Sequence, residues 1–352
     1  MKKYGVEVNP LYLMYRTKRL NSFLERTANK NQRFWRWISN IGIVVAVGEI
    51  GVAGYTLISN LFNFAYIPQQ AQPVFPIIPG VTIGIRWLPY LLLAIGIALT
   101  THELGHGIIA YLEKIPVKSS GIVVAPITFG GFVEPDEEVF NKARLISRLR
   151  VLSIGSLTNL SFGFLSLVLI MGLFLPSSGV LIGNLTDGGP AYSAGIKTYD
   201  VIKAINGTAI NSVYDLSLFM MGTTPGNHLK IETSSGVWDI VTEVNPSNLS
   251  RGFIGVEDLS NYYPLRLGEF SSFFSYNIYM FFNWSAFLMV NLAIFNMLPL
   301  FPLDGEAYVY SILREKVKKG LTPIRIFINS FCLGLIGLNM ILTFLIYGFI
   351  QI

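Results

Sequence analysis

The stretch at residues 87–112 reads WLPYLLLAIGIALTTHELGHGIIAYL. It is long and apolar enough to cross a bilayer as a helix, which takes about 20 residues. Within the apolar run, however, stand His102, Glu103 and His106. An acidic residue at the centre of a spanning helix costs roughly 2.5–3.5 kcal/mol on insertion scales. Residues of this kind in this place indicate a functional site.

The spacing of the two histidines favours metal binding. Positions four apart lie on one face of a helix, so His102 and His106 can bind one Zn²⁺ together. Glu103 lies three residues before His106, close enough to act on a water at such a metal. Catalytic zinc generally takes three protein ligands and keeps a further position open. The stretch therefore predicts a zinc site whose third ligand comes from elsewhere.

The composition of the whole chain also indicates a membrane protein. Mean hydropathy is +0.52, and only 13% of residues are charged. Five apolar stretches meet or nearly meet the length needed for a span. They are residues 38–61, 87–111, 149–175, 273–298 and 324–350. Residues 65–85 are apolar but contain Pro68, Pro73, Pro76 and Pro79, so a loop, external or partly re-entrant, is expected there instead of a sixth helix.

Charge predicts an orientation. Residues 1–37 carry nine Lys/Arg against two acids, which places the N-terminus in the cytoplasm by the positive-inside rule. With five spans, residues 112–148 and 299–323 are then also cytoplasmic, with five and four Lys/Arg. Residues 176–272 lie on the opposite side, with five Lys/Arg against nine acids. The basic excess thus points to the cytoplasmic membrane surface and its lipid, and not to nucleic acid.

Residues 177–258 differ in composition from the apolar stretches, since they are polar and rich in Gly, Asn and short β-branched runs. They predict strands, a helix opened by Ser or Asn, and a hairpin. The segments are, in order, residues 179–183, 201–207, 212–221, 229–233 and 237–244. Residues 190–208 resemble a circularly permuted bacterial PDZ domain, although Tyr199-Asp200 stands where Gly-Asp is usual. PDZ domains bind an extended peptide or chain terminus by strand addition. A plain spacer between helices is the alternative.

The third zinc ligand predicted from the residues is Asp304. It follows Pro299 and Pro302, which break the helix where the backbone has to loop into the protein. Irregular backbone at membrane depth is tolerated where it is buried or lines a wet cavity. In the predicted topology Asp304 and His106 lie on the same side of the membrane. Alternatively, Asp304 caps a helix over residues 305–316.

Two separated motifs carry a family resemblance. His102-Glu103-Leu104-Gly105-His106, together with Asn296-x-x-Pro299-x-x-Pro302-Leu303-Asp304-Gly305, resembles the site-2 protease family of intramembrane zinc metalloproteases. The resemblance implies one catalytic zinc on His102, His106 and Asp304, with Glu103 in general acid/base catalysis and Asn296 holding the substrate backbone. Gly155-Ser156-x-x-Asn159 resembles the family's Gly-Pro-x-x-Asn pattern with Ser in place of Pro. Asn159 is thus expected either to bind substrate or to join helices.

The expected fold is a multi-pass α-helical membrane protein of about five spans with an inserted small α+β, PDZ-like domain. Its predicted domains are residues 1–37 (basic, cytoplasmic), 38–175 (membrane), 176–262 (PDZ-like, extracytoplasmic) and 263–352 (membrane). The expected function is a zinc metalloendopeptidase that cuts peptide bonds in or near transmembrane segments of membrane-anchored proteins. A PDZ scaffold and a metal-ion transporter are the alternatives.

A helical substrate offers no free carbonyl, so a spanning segment has to unwind before cleavage. Residues 121–132 have strand-like content, and Gly130-Gly131 suggests a turn. This hairpin either offers an edge to which the unwound substrate adds as a strand, or only shields the metal.

Overall fold

The computed structural model describes residues 6–9, 12–78, 80–125, 128–268 and 270–348. Of the predicted features, Pro79, residues 126–127 of the hairpin and the last two residues of the fifth span lie outside the described residues. The chain divides into two compact units. One comprises residues 1–166 and 284–352, and the other comprises residues 167–283.

Five long helices dominate the described residues, and each corresponds to one predicted span. Each contains an 18-residue window with mean hydropathy between 1.4 and 2.0. With α1 as the short helix Lys18–Lys30, they are α2 (Gln32–Tyr66), α3 (Leu88–Leu112), α5 (Leu145–Leu173), α8 (Ser272–Asn296) and α10 (Leu321–Tyr347). The prediction of a multi-pass helical membrane protein is therefore confirmed in its architecture.

Helix α2 explains how these apolar helices pack. Its buried positions Ser39, Gly42, Ala46, Glu49 and Ala53 recur every three or four residues and form one stripe of mostly small side chains. Small residues let helix backbones approach closely where lipid removes the hydrophobic drive for association. The exposed positions of the same helix are large and apolar, as lipid contact requires. Val44, Val47 and Tyr55 are examples.

A four-stranded antiparallel sheet lies beside α3 in the order β1-β2-β3-β4. The strands are β1 (Val6–Asn9), β2 (Tyr12–Arg16), β3 (Val117–Ala125) and β4 (Thr128–Pro135). The strand content predicted for residues 121–132 is confirmed, and the N-terminal hairpin β1–β2 extends the sheet beyond that prediction. A Cβ on Gly121 would lie 1.8 Å from the Tyr15 carbonyl oxygen, so only glycine lets β2 pair this closely.

The expectation that Gly130-Gly131 forms a turn is wrong. Both glycines lie inside β4, where the strand runs against α3. A Cβ on Gly130 would lie 2.7 Å from Leu99 Cβ, and the Gly131 N–H donates to Thr100 Oγ1 over 3.2 Å. The glycines are needed for a close approach between strand and helix, a second common reason for glycine in a strand.

The helices that follow the sheet complete the membrane unit. Helix α4 (Glu137–Lys142) is capped by Asp136, whose carboxylate accepts the N–H groups of Glu138 and Val139. Helix α9 (Asp304–Lys316) leads from the loop after α8 to α10. Between α2 and α3 the described residues form 3-10 turns over Pro68–Gln70 and Ile85–Trp87 and no long helix, as predicted for residues 65–85. Asn60 and Thr343 hold this segment through the backbone of Gln72 and Val74.

The second unit contains the predicted α+β domain. Its main sheet is antiparallel, in the order β10-β9-β7-β5-β14, and is completed by helices α6 and α7. Ser212 caps α7 as predicted, since its hydroxyl accepts the Asp215 N–H. The elements are β5 (Val180–Leu181), β6 (Asn184–Leu185), α6 (Pro190–Ala194), β7 (Val201–Ile205), β8 (Thr208–Ala209), α7 (Val213–Met221), β9 (His228–Thr233), β10 (Val237–Val241), β11 (Glu243–Asn245), β12 (Asn248–Phe253), β13 (Val256–Glu257) and β14 (Ser260–Asn261).

Candidate metal centre

Helix α3 brings its two histidines together. His102 and His106 lie one turn apart and are both buried, with 6% and 8% of their surface exposed. Their Nε2 atoms are 3.0 Å apart. Two imidazoles that direct the same ring nitrogen at one point can bind one metal ion together.

Asp304 completes the group from the start of α9. Its Oδ2 lies 3.0 Å from His102 Nε2 and 3.1 Å from His106 Nε2. The alternative that Asp304 caps α9 does not hold, since Leu303 occupies the cap position and the carboxylate faces the histidines. The loop that delivers Asp304 is tight. A Cβ on Gly305 would lie 2.1 Å from the Met297 carbonyl oxygen, so only glycine fits.

The three side chains fit a zinc ion. Their donor atoms form a triangle with sides of 3.0–3.1 Å, while ligands on one tetrahedral zinc lie about 3.3 Å apart. Two imidazoles and one carboxylate are a common ligand set for catalytic zinc. Burial alone would raise the pKa of Asp304, but the adjacent imidazoles hold that pKa well below its usual range.

Helix α5 places a polar group next to Nδ1, the second ring nitrogen, of each histidine. His106 Nδ1 donates to the Val151 carbonyl oxygen over 2.6 Å, and Asn159 Nδ2 lies 3.4 Å from His102 Nδ1. Gly155 lies between these two contacts on the same face of the helix. Metal-binding histidines usually direct their second ring nitrogen at such a partner, which fixes the ring.

Glu103 follows His102 on α3 and lies beside the three-residue cluster. It is half-buried, and its Oε2 accepts the Val133 N–H of β4 over 3.1 Å. Strand β4 thus orients the Glu103 carboxylate through a backbone hydrogen bond. A carboxylate held next to a zinc-binding pair is the usual general base of a metalloprotease.

Comparison with known proteins agrees with this geometry. Residues 90–335 match peptidase family M50, and this region contains His102, Glu103, His106 and Asp304. The chain belongs to peptidase family M50. The predicted resemblance to the site-2 proteases of this family is therefore confirmed, as is the prediction of an intramembrane zinc metalloprotease.

Individual relatives of this M50 peptidase differ in how much of it they share. An uncharacterized protein of Methanocaldococcus jannaschii is 29% identical over an alignment of 322 residues that covers 87% of this chain and 81% of that protein. The zinc metalloprotease RasP of Shouchella clausii is 25% identical over 65% of this chain and 57% of its own length. The solved PDZ domain of an SdrC-like protein of Listeria monocytogenes is 22% identical, covers 23% of this chain and 88% of that domain, and gives a TM-score of 0.21.

Two predicted substrate-binding residues take different places in the M50 unit. Asn296 is the last residue of α8 and is half-buried, eight positions before Asp304. No hydrogen bond of the described residues joins it to the histidines. Asn159 is buried and faces His102. Of the predicted site residues, the structure therefore brings Asn159 into the metal centre and leaves Asn296 at the end of its helix.

Several groups that support the metal-site side chains could not be predicted from the sequence. The Val151 carbonyl and the Val133 N–H are backbone atoms, which no side-chain pattern reveals. Glu49 of α2 pairs with Ser156 of α5, whose hydroxyl lies 2.5 Å from Glu49 Oε2. Only the departure of Ser156 from the family's proline marked this position in the sequence.

Proposed function

We propose that this M50 peptidase hydrolyses peptide bonds in or near transmembrane segments of membrane-anchored proteins. His102, His106 and Asp304 hold one zinc ion, and Glu103 is the general acid and base. One observation carries the proposal: the donor atoms of two buried histidines on α3 and of the half-buried Asp304 on α9 lie within 3.1 Å of one another among apolar helices.

Bound zinc supplies Lewis-acid chemistry, since it polarises a carbonyl and makes its water more acidic. Glu103 receives the proton of the attacking water at its carboxylate and later gives it to the departing amine. The Val133 N–H donates to one Glu103 oxygen and so fixes the carboxylate next to the metal ligands. Asn296 lies where α8 gives way to the loop, and it donates to the substrate backbone from there.

The substrate reaches the site as an extended strand. β4 is the edge strand of its sheet and runs along α3, which carries the metal ligands. An unwound segment that adds to this edge replaces Thr100 as the acceptor for the Gly131 N–H, while the Val133 N–H stays on Glu103. A shield that only covers the metal is the competing role for β4, and substitutions that break strand pairing without exposing the site separate the two roles.

For topology we propose five spans, with the N-terminus in the cytoplasm and the PDZ-like domain outside. The charge bias of the segments between spans supports this orientation. Cys332 is the chain's one cysteine and is buried, so single cysteines at exposed Ser22 and Ser247 report their side with an impermeant thiol reagent. Labelling of both from the same side overturns the proposal.

Two further partners follow from this topology. Arg26, Lys30, Arg33 and Arg36 are exposed near the start of α2 and contact anionic lipid headgroups at the cytoplasmic surface. The PDZ-like domain, residues 176–262, binds an extended peptide or chain terminus. Its antiparallel sheet flanked by α6 and α7 supports that role.

The decisive experiment incubates the purified protein with a panel of transmembrane substrates, with and without a chelator. We expect cleavage that the chelator abolishes and added zinc restores. Glu103→Gln is expected to keep stoichiometric zinc and to lose cleavage by at least 100-fold, whereas Glu138→Gln on the exposed face of α4 leaves it unchanged. Full activity of Glu103→Gln with zinc bound contradicts the mechanism. Zinc-dependent ion flux in liposomes without any cleavage would instead support a transporter.

A further inference from the structure

The Asn159 side chain lies next to a metal ligand, and one of its two polar atoms lacks a hydrogen-bond partner. Its side chain is 1% exposed, and its Nδ2 lies 3.4 Å from His102 Nδ1. Its Oδ1 is buried and has no hydrogen-bond partner among the described residues. A buried acceptor without a donor costs about 1–3 kcal/mol. Asn159 Oδ1 is thus left without a donor although the ring nitrogen Nδ1 of His102 lies close to the same amide group.

The ligand role of His102 decides which atoms face each other. His102 turns Nε2 toward His106 and Asp304, so the lone pair that binds metal is on Nε2. In a neutral imidazole the other nitrogen then carries the hydrogen, so Nδ1–H is a donor. The Asn159 NH₂ group is a donor as well, and two donors cannot bond. The oxygen and nitrogen of an amide are nearly identical in shape, so the amide can be turned by half a rotation in the same space.

We propose that Asn159 is a positioning residue, whose Oδ1 accepts the Nδ1–H of His102 and fixes the tautomer and orientation of that ring. This arrangement satisfies the buried amide oxygen and the imidazole donor together. The inference rests on the proposed metal site, and it gives Asn159 a role other than the substrate binding predicted from the sequence.

The spacing along α5 supports this assignment. Val151, Gly155 and Asn159 are four residues apart and share one face of α5, as His102 and His106 share one face of α3. Val151 accepts the Nδ1–H of His106, Gly155 leaves room for both rings, and the Asn159 amide lies opposite Nδ1 of His102. The two histidines thus have equivalent partners, one a backbone carbonyl and the other a side-chain carbonyl.

The test measures zinc affinity of the full-length protein by competition with a chelator. Asn159→Asp keeps an acceptor and loses the amide donor, whereas Asn159→Leu removes both at similar volume. We expect zinc affinity to fall 10- to 100-fold in Asn159→Leu, as for other partners of metal-binding histidines, and to stay within a few-fold of wild type in Asn159→Asp. Ser161→Ala, on an exposed position of the same helix, is the matched control.

The outcomes separate this inference from the proposed function. Wild-type protein that binds no zinc contradicts the metal site itself. Wild-type protein that binds zinc, with Asn159→Leu equally tight, overturns only the role of Asn159. A loss in Asn159→Asp as large as in Asn159→Leu also overturns it, because the amide would then act as a donor, to substrate or to a neighbouring helix. Size-exclusion profiles and melting curves of each variant identify any that fail to fold, and Asn159→Asp remains informative if Asn159→Leu does not.

Discussion

Gly155 lies directly against His106. A Cβ on this glycine would be 2.5 Å from His106 Nε2 and 2.6 Å from His102 Cε1. Real Cβ atoms essentially never come this close to such atoms, so one of the partners has to move. Helix α5 can therefore approach α3 at the metal centre only because this position has no side chain.

Gly155→Ala is expected to displace both imidazoles and to lower zinc affinity at least tenfold, since geometry at a metal site tolerates only small ligand shifts. Zinc content after dialysis against a weak chelator measures the effect. Gly172→Ala in the same helix is the control, because a Cβ there meets nothing within 4 Å. Unchanged zinc binding in Gly155→Ala would show that the rings lie elsewhere.

Part of the site follows from sequence because it depends on local periodicity. The pairing of His102 with His106 follows from the four-residue spacing on a helix. The spanning helix follows from the number of apolar residues around them. Asp304 is 198 positions from His106, so its place required the two prolines, the predicted topology and the family resemblance. In each case a side chain in the sequence signals the structure.

Other features could not be predicted, for physical reasons. Glycine marks both turns and close backbone contacts, so Gly130-Gly131 did not distinguish a hairpin end from a strand lying on α3. The β1–β2 hairpin joins a sheet more than 100 residues later in the chain, and only tertiary pairing stabilises it. The partner of Asn159 depends on which helix faces α5, which residue type alone does not specify.

The loop that carries Asp304 is held from α10. Asn329 Oδ1 accepts the Phe301 N–H over 2.6 Å, and Arg325 forms a two-pronged ion pair with the nearly buried Glu306. Asn329→Ala leaves the exposed Phe301 N–H to water, so the loss is the net value of one hydrogen bond, about 0.5–1.5 kcal/mol, or roughly 2- to 13-fold in binding. We expect this loss in zinc affinity with little change in helix content by circular dichroism.

Ser330→Ala, an exposed neighbour on α10, controls for the substitution of a polar residue in this helix. If Asn329→Ala binds zinc as tightly as Ser330→Ala, the loop is fixed by Gly305 and the ion pair alone, and the contribution assigned to Asn329 is wrong.

Glu49 and Ser156 form a buried polar pair between α2 and α5. The Ser156 hydroxyl lies 2.5 Å from Glu49 Oε2 and 3.0 Å from the Ala293 carbonyl oxygen of α8. Ser156→Ala removes the hydrogen-bond partner of a buried carboxyl group, so the free energy of unfolding should fall by about 1–3 kcal/mol. The double variant Glu49→Leu/Ser156→Ala replaces both partners with apolar groups and should recover most of that loss. Denaturant unfolding in detergent measures both, and equal destabilisation in the two variants would contradict the pairing.

Glu134 links the N-terminal hairpin to β4 in a pH-dependent way. Hydrogen bonds from Ser119 and Arg16 hold the pKa of Glu134 below its usual value. A lowered pKa in the folded state means that this contact stabilises the sheet above the usual pKa of about 4.3 and is lost as pH falls through the folded value. In Glu134→Gln, amide exchange in β2 should therefore be faster than in wild type at pH 7. The difference should shrink as pH falls through the lowered pKa of wild-type Glu134, below which its carboxyl group is also neutral. Hydrogen-exchange mass spectrometry over a descending pH series checks this, with Glu138→Gln as an exposed control, and a difference that stays constant down the series would assign the effect to side-chain shape instead of charge.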